Sequence, residues 1–249
     1  MLPFHSGSSI NPIDRLLILC RPGITAYRSY WRIFLIIQLC AAAFVFCYYQ
    51  SSQLQAAMEG LVELQGRYGL LFAAVTTSLS GAIVPELLKL RFRPPGIPPL
   101  SLGGWFHRAA MMASAGIMVH LFYQAQAWMF GSGNAPSILA AKILFDQLFF
   151  TPVVAIPFLV TWFLFHENGY RPTRVLHSWN RKTLAHRAFP MWVTCLTFWP
   201  FTLIFVYSMP VTLQFPLFLF ANTAFSLVML FVAANDQQYI DAESGAQAA

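Results

Sequence analysis

From residue 31 to residue 234 the chain is a succession of long apolar runs separated by short polar breaks, approximately 31–49, 68–90, 109–130, 138–165, 189–209 and 211–234. A bilayer hydrocarbon core about 30 Å thick is crossed by roughly 20 mostly apolar helical residues. A lone strand would leave its backbone groups unpaired in lipid, and no alternating ten-residue pattern of a barrel is present. A soluble domain of this length would need a charged surface, but only 10% of the residues are charged and 57% are hydrophobic, against about 25% charged in an ordinary soluble domain. The expected fold class is therefore all-α, a polytopic transmembrane helical bundle with about six membrane-spanning helices.

Charge placement gives an independent reading of the topology. Arg15, Arg21, Arg28 and Arg32, then Lys89, Arg91, Arg93 and Arg108, then Arg171, Arg174, Arg181, Lys182 and Arg187 account for thirteen of the fifteen basic residues, whereas the intervening loops 50–67 and 131–137 hold only Arg67. Basic residues in short loops collect on the cytoplasm-like side. Six spans then place all three groups and both termini on one face. The net charge of +6 is expected to meet anionic membrane lipids; no nucleic-acid motif accompanies it. Residues 1–30 read as an N-terminal interfacial segment, 31–234 as the bundle, 91–104 as an extended Pro/Gly-rich linker, and 235–249 as a disordered acidic tail. The first 30 residues lack the pattern of a secretory signal.

Catalysis finds no support. The histidines form no HExxH or clustered di-iron pattern, no GxSxG, P-loop or dinucleotide fingerprint occurs in a meaningful context, and Cys20, Cys40, Cys47 and Cys195 show no metal-binding spacing. No catalytic residue, metal or cofactor is expected, and the chain reads as a non-enzyme.

The chemistry that remains is polar and lies inside the apolar runs. "AAKILFDQLFFTP" carries Lys142, Asp146 and Gln147, with Asp146 about 12 Å into its run at 1.5 Å per residue. Ala74, Ser78, Ala82 and Glu86 share one face of the second run, and Ala109, Ala113, Gly116, His120 and Gln124 one face of the third; small residues let helices approach, so both faces should point inward. An ionisable group at mid-membrane costs several kcal/mol without a partner or water, so Asp146 should meet a polar group, with Lys142 or His120 the nearest candidates. Glu86, His120, Gln124 and Asp146 could line an aqueous path for small solutes or ions, or could close an interhelical network through which nothing passes.

Three segments carry a resemblance. "GIMVHLFY" is similar to the GPxxHxWY signature of the Mpv-seventeen / PMP-twenty-two family of small peroxisomal and mitochondrial inner-membrane proteins, through Gly116, His120 and Tyr123. "KILFDQLFFTP" resembles its K-x3-DQ-x4-P element through Lys142, Asp146, Gln147 and Pro152, and "FWPFTLIFVYSMP" its WP…VP segment through Trp199, Pro200 and Pro210. The similarity runs from about residue 70 to 234. Ile117 replaces the family proline, "VPE" replaces its GD pair, and Gln214 stands for its arginine; the chain is thus identified as a divergent member. The resemblance implies a pore-forming bundle passing small solutes in a mitochondrial inner or peroxisomal membrane if the source is eukaryotic; in a bacterium the expected site is the cytoplasmic membrane. The alternative is a non-conducting scaffold that stabilises a membrane complex, and either form could associate with further copies of itself.

Overall fold

The computed structural model describes the backbone over residues 12–92 and 100–226, and side chains over 31–91, 100–183 and 186–226. Residues 1–11, the 93–99 part of the Pro/Gly-rich linker, the end of the sixth apolar run (227–234) and the acidic tail (235–249) lie outside the described residues. Every regular element among the described residues is helical and none is a strand, so the chain is all-α. Four of the helical stretches, Trp31–Gln50, Ser52–Arg91, Pro136–Glu167 and Arg181–Ser208, are long and apolar enough to cross a membrane.

Helix α1 (Pro12–Gln50) starts well ahead of the expected Trp31, with proline at the first helical position, where its missing N–H costs nothing. Leu35, Ile36, Leu39 and Phe46 are exposed along it, as residues facing lipid would be. Its other face follows α9 in parallel: Phe34 packs on Phe198 at 5.5 Å, Gln38 Nε2 donates to Thr202 Oγ1 at 2.7 Å, and the Tyr49 hydroxyl donates to the Ser208 carbonyl at 2.7 Å.

Residues 52–67, expected as a loop, form the first part of helix α2 (Ser52–Ser78). Leu54, Met58, Leu61 and Val62 fall on one helical face; Met58, Leu61 and Val62 pack against the core, and Ser51 Oγ caps the start by accepting from the Leu54 N–H at 3.2 Å. The chain then turns at Gly69, whose φ of 49° and ψ of −118° break the helix in a region open to glycine because it has no Cβ. A π-helical turn, Leu79–Ile83, joins α2 to α3 (Val84–Phe92).

Helix α4 (Leu102–Phe130) is capped by Ser101, whose Oγ accepts from the Gly104 N–H, and ends at Gly131 with φ of 90°. It packs along α2 at Gly116, where an added Cβ would overlap Thr77 Oγ1 and the Ala73 carbonyl. The two small-residue faces therefore meet: Ser78 Oγ donates to the Ala109 carbonyl at 2.8 Å. The seam on α2 is shifted from the expected Ala74 line to the fully buried Ala73 and nearly buried Thr77.

Helix α5 (Pro136–Phe145) continues through a ten-residue π-helical segment, Asp146–Ala155, into α6 (Ile156–Glu167). After a turn with positive φ at Gly169 and Tyr170 come α7 (Pro172–Ser178), α8 (Arg181–Thr183) and a second π-helical turn, Leu184–Ala188, leading into α9 (Phe189–Ser208). Met209 is extended (φ −82°, ψ 156°) because Pro210 follows, and α10 (Val211–Ser226) folds back as the expected tight hairpin. The main core joins Phe72, Tyr123, Phe150, Leu203, Tyr207, Phe215 and neighbours from α2, α4, the long π segment, α9 and α10.

One end of the bundle collects polar contacts between the start of α4 and the ends of α3 and α6. Glu86 pairs with Arg108, the His107 ring lies 4.8 Å from that of His166 and 5.6 Å from Tyr170, and Glu167 pairs with Arg187 at 2.8 Å.

Candidate functional site

Pro152 explains why a π-helical stretch begins at Asp146. A proline within an α-helix clashes with the preceding turn and supplies no N–H; a wider turn absorbs the clash, and such bulges recur at functional sites. In a π turn the Gln147 carbonyl would accept from the N–H of residue 152, which proline lacks. Trp192 Nε1 of α9 donates to that carbonyl instead, at 2.8 Å. The unusual backbone is thus pinned to the neighbouring helix.

The widened turn aims Asp146 inward. Its Oδ2 accepts from the Tyr207 hydroxyl at 2.5 Å, and its Oδ1 accepts from Gln147 Nε2 at 2.9 Å and Thr151 Oγ1 at 3.0 Å. Asp146, Gln147, Thr151 and Tyr207 are all buried. Three donors on two oxygens form an acceptor-side arrangement suited to a carboxylate. Lys142 and His120, the partners anticipated for Asp146, are not among these donors. The reason is rotational: the π turn swings Asp146 toward α9, where a tyrosine hydroxyl reaches it directly.

Lys142, one turn earlier, is fully buried, and its Nζ has no hydrogen-bond partner among the described residues. The ammonium sits 5.9 Å from the centre of the Tyr207 ring, within cation–π range. Gln126 of α4, also fully buried, donates from Nε2 to the Lys142 carbonyl at 3.0 Å. Tyr207 therefore stands between the two charged residues, its ring toward Lys142 and its hydroxyl on Asp146. The Tyr123 ring packs edge-on against it at 5.5 Å.

A cavity of about 420 Å³ adjoins the carboxyl. Asp146, Gln147 and Thr151 form part of its wall, with Thr77 from α2, Cys195 and Trp199 from α9 and Asn222 from α10. Most of the remaining lining is apolar, including Met112, Met118, Phe150, Ile156 and Phe218. Three polar atoms on residues of this wall, Thr77 Oγ1, Gln147 Oε1 and Asn222 Nδ2, are buried and without a hydrogen-bond partner among the described residues.

The other expected path residues lie elsewhere. Glu86, almost fully buried, pairs through Oε1 with Arg108 and with Lys89 Nζ at 2.7 Å, so it anchors α3 to α4 at the bundle end. His120 Nε2 shares a 2.9 Å hydrogen bond with Gln124 Nε2, and its ring meets Phe215 edge-on at 5.3 Å. Neither His120 nor Gln124 is part of the cavity wall. The structure thus brings Asp146, Gln147 and Lys142 together and leaves Glu86 and the His120–Gln124 pair apart from them.

Residues singled out by resemblance take structural positions around the same centre. Gly116 permits the α2–α4 contact and Tyr123 backs Tyr207. Pro152 opens the π segment, and Trp199 stacks on Phe218 at 5.6 Å beside the cavity. Pro200 lies inside α9, and the Pro210 carbonyl accepts from the Leu213 N–H at 2.8 Å to start α10. Tyr207, Thr77, Gln126 and Trp192 were not anticipated. A tyrosine near the end of the 189–209 run was the one available signal, since a buried hydroxyl needs a partner.

No group of three or more His, Cys, Asp or Glu among the described residues could hold a metal ion. Comparison of the chain with family models, with curated proteins and with solved structures finds no match.

Proposed function

We propose that the chain is an integral membrane protein that admits a small solute into its bundle as a step in passing it across the membrane, with Tyr207 and Asp146 as the closed point of the route. The single observation behind this reading is the 420 Å³ cavity with Asp146 in its wall, and Tyr207, Lys142 and Gln126 grouped behind that carboxyl. Intramembrane ionisable groups lining a cavity mark solute pathways. In this reading α4 and α10 cross the membrane together with the four long apolar helices, giving six crossings. Helix α4 falls short on apolarity because it carries His120, Gln124 and Gln126; His120 and Gln126 are buried, whereas Gln124, expected to point inward, is exposed. The basic loops and both termini then share one side, and the resemblance to the Mpv-seventeen / PMP-twenty-two family points to an organelle membrane.

Flux of small neutral solutes and of monovalent cations through purified protein in liposomes tests the proposal. Tyr207→Ala, which removes both ring and hydroxyl from the closure, is expected to raise flux above wild type. The scaffold reading draws on the closure itself: Asp146 is saturated by donors and Phe122 stacks on Phe150 at 3.6 Å beside it. It predicts no flux in wild type or in Tyr207→Ala, and a lower melting temperature in the variant. That outcome would overturn the transport proposal.

A further inference from the structure

The cavity beside Asp146 is elongated along the helices. Met112 and Tyr123, which line it, lie eleven residues apart on α4, and Pro190 and Leu203 thirteen apart on α9. At 1.5 Å per residue these pairs span about 17 and about 20 Å. Tyr123, Asp146, Phe150 and Leu203 at one end are buried, whereas Met112, Leu159, Met191 and Thr194 toward the other are half-buried. The half-buried end adjoins the basic loop. The helical stretch running into Pro190 carries Arg181, Lys182, His186 and Arg187, all exposed. Glu167 is the sole acidic residue between 147 and 235, and it pairs with Arg187. Arg181 and Lys182 have no acidic partner among the described residues.

The wall and the mouth ask for different chemistry. The wall is mostly apolar, so a strongly hydrated solute would lose water without replacing it. A cation is not recruited at the buried end, because the Asp146 oxygens already accept from Tyr207, Gln147 and Thr151. The mouth, by contrast, carries an excess of positive charge at the membrane surface, where anionic groups gather. Size narrows the occupant further. About 420 Å³ holds roughly 14 non-hydrogen atoms at about 30 Å³ each. Three backbone bonds of an extended chain advance about 3.3–3.6 Å, so an unbranched chain of about 14 atoms reaches about 16 Å. Volume and length thus agree on one extended alkyl chain and leave no room for a second. We infer that this cavity takes the tail of a single-chain anionic amphiphile, its apolar end beside Asp146 and its charged head among the cations of residues 181–187. The inference rests on the reading of the cavity as the solute site, and adds the class of solute.

Photolabelling tests it on the wild-type protein in phosphatidylcholine nanodiscs. Tetradecyl probes carry a diazirine at the far end of the chain and a sulfonate, a hydroxyl or a trimethylammonium as head, each at equal mole fraction in the bilayer. Peptide mass spectrometry locates the insertion. The sulfonate probe is expected to label most strongly, at Tyr123 and in the segment 146–150. Arg181→Gln with Lys182→Gln alters only exposed side chains, so folding should persist. It should raise the mole fraction needed for half-labelling about 25-fold, about fivefold for each cation, the equivalent of about 1 kcal/mol apiece near a membrane surface. Arg67→Gln, outside the basic loops, should leave it unchanged. Equal labelling with all three heads, or strongest labelling with trimethylammonium, would overturn the inference. So would insertion at Met191 and Thr194 instead of the buried end, or insertion confined to exposed residues such as Leu148 and Phe149. Equally strong deep labelling by a phosphatidylglycerol with the diazirine on one of its two chains would also overturn it. Deep labelling by the sulfonate without liposome flux keeps this inference and sinks the transport proposal; flux without deep labelling does the reverse.

Discussion

Substituting Tyr207→Phe isolates one hydrogen bond at the centre of the bundle. The ring stays, so its contacts with Lys142 at 5.9 Å and Tyr123 at 5.5 Å persist; the 2.5 Å bond to Asp146 Oδ2 is lost, with the weaker polar contacts of the hydroxyl to Tyr123 and Gln126. Tyr207 is 1% and Asp146 7% exposed, so water cannot readily replace the donor. A hydrogen bond to a charged acceptor is worth about 1.5–3 kcal/mol, and the abandoned oxygen carries its desolvation cost. For a chain of this size each kcal/mol moves the melting temperature by about 2–4 °C, so a loss near 2 kcal/mol should appear as a drop of roughly 4–8 °C. Tryptophan fluorescence during thermal melting in nanodiscs measures it. Asp146→Asn and the double variant complete a cycle whose coupling should reach about 1–2 kcal/mol. A melting point within about 1 °C of wild type, or strictly additive single effects, would show that the hydroxyl and carboxyl are not joined and would refute the reasoning.

The remaining predictions concern the supports of this centre. Gly116→Ala should destabilise by about 2–3 kcal/mol, because the new methyl meets the Ala73 backbone carbonyl, which cannot yield. Gly81→Ala meets the flexible end of Met112 at 2.7 Å and should cost about 1 kcal/mol or less; equal losses in thermal melts would contradict the packing. Trp192→Phe removes the donor to the Gln147 carbonyl and should cost about 1–3 kcal/mol. That loss should shrink in a Pro152→Ala background, where a backbone N–H becomes available; an unchanged loss would mean Pro152 does not create the need. His107 precedes the third apolar run, and burial, then the nearby His166, holds its pKa below the usual 6.5. The unfolded chain then binds the proton more readily than the folded one, so stability is complete above about pH 6.5 and declines as pH falls below it. Thermal melts from pH 7.5 to 5 should show this decline weakened in His107→Phe; an unaltered slope would place the effect elsewhere.

Much of the architecture was legible because lipid-compatible helices advertise themselves by length and apolarity, properties each segment carries alone. The runs 31–49, 138–165 and 189–209 all fall within helices that are long and apolar enough to cross a membrane. The tight turn at Met209-Pro210 follows from proline's fixed geometry. Gly116 and the small faces around Ser78 and Ala109 were legible for the same reason, since close helix approach needs small side chains at a helical spacing. The helix over 52–67 was also written in the sequence, as the spacing of Leu54, Met58, Leu61 and Val62, but was obscured by Gln55, Glu59 and Gly60 between them.

The pairing of polar groups was not legible in that way. Glu86, His120, Gln124 and Asp146 all read as inward residues, and their spacing along each helix could not say which would meet. A partner is chosen by rotation about one helix and by height along another, and each α-helical residue turns the side chain by about 100°. The π segment that Pro152 imposes on Asp146–Ala155 alters that rotation just where the carboxyl emerges. So the sequence alone determined that this chain forms apolar helices with a few costly polar groups kept inside. Only tertiary structure decided that Asp146 meets Tyr207, that Glu86 is held by Arg108 and Lys89, and that Asp146 shares a cavity wall with Cys195 and Asn222, because these facts depend on the relative placement of helices far apart in the chain.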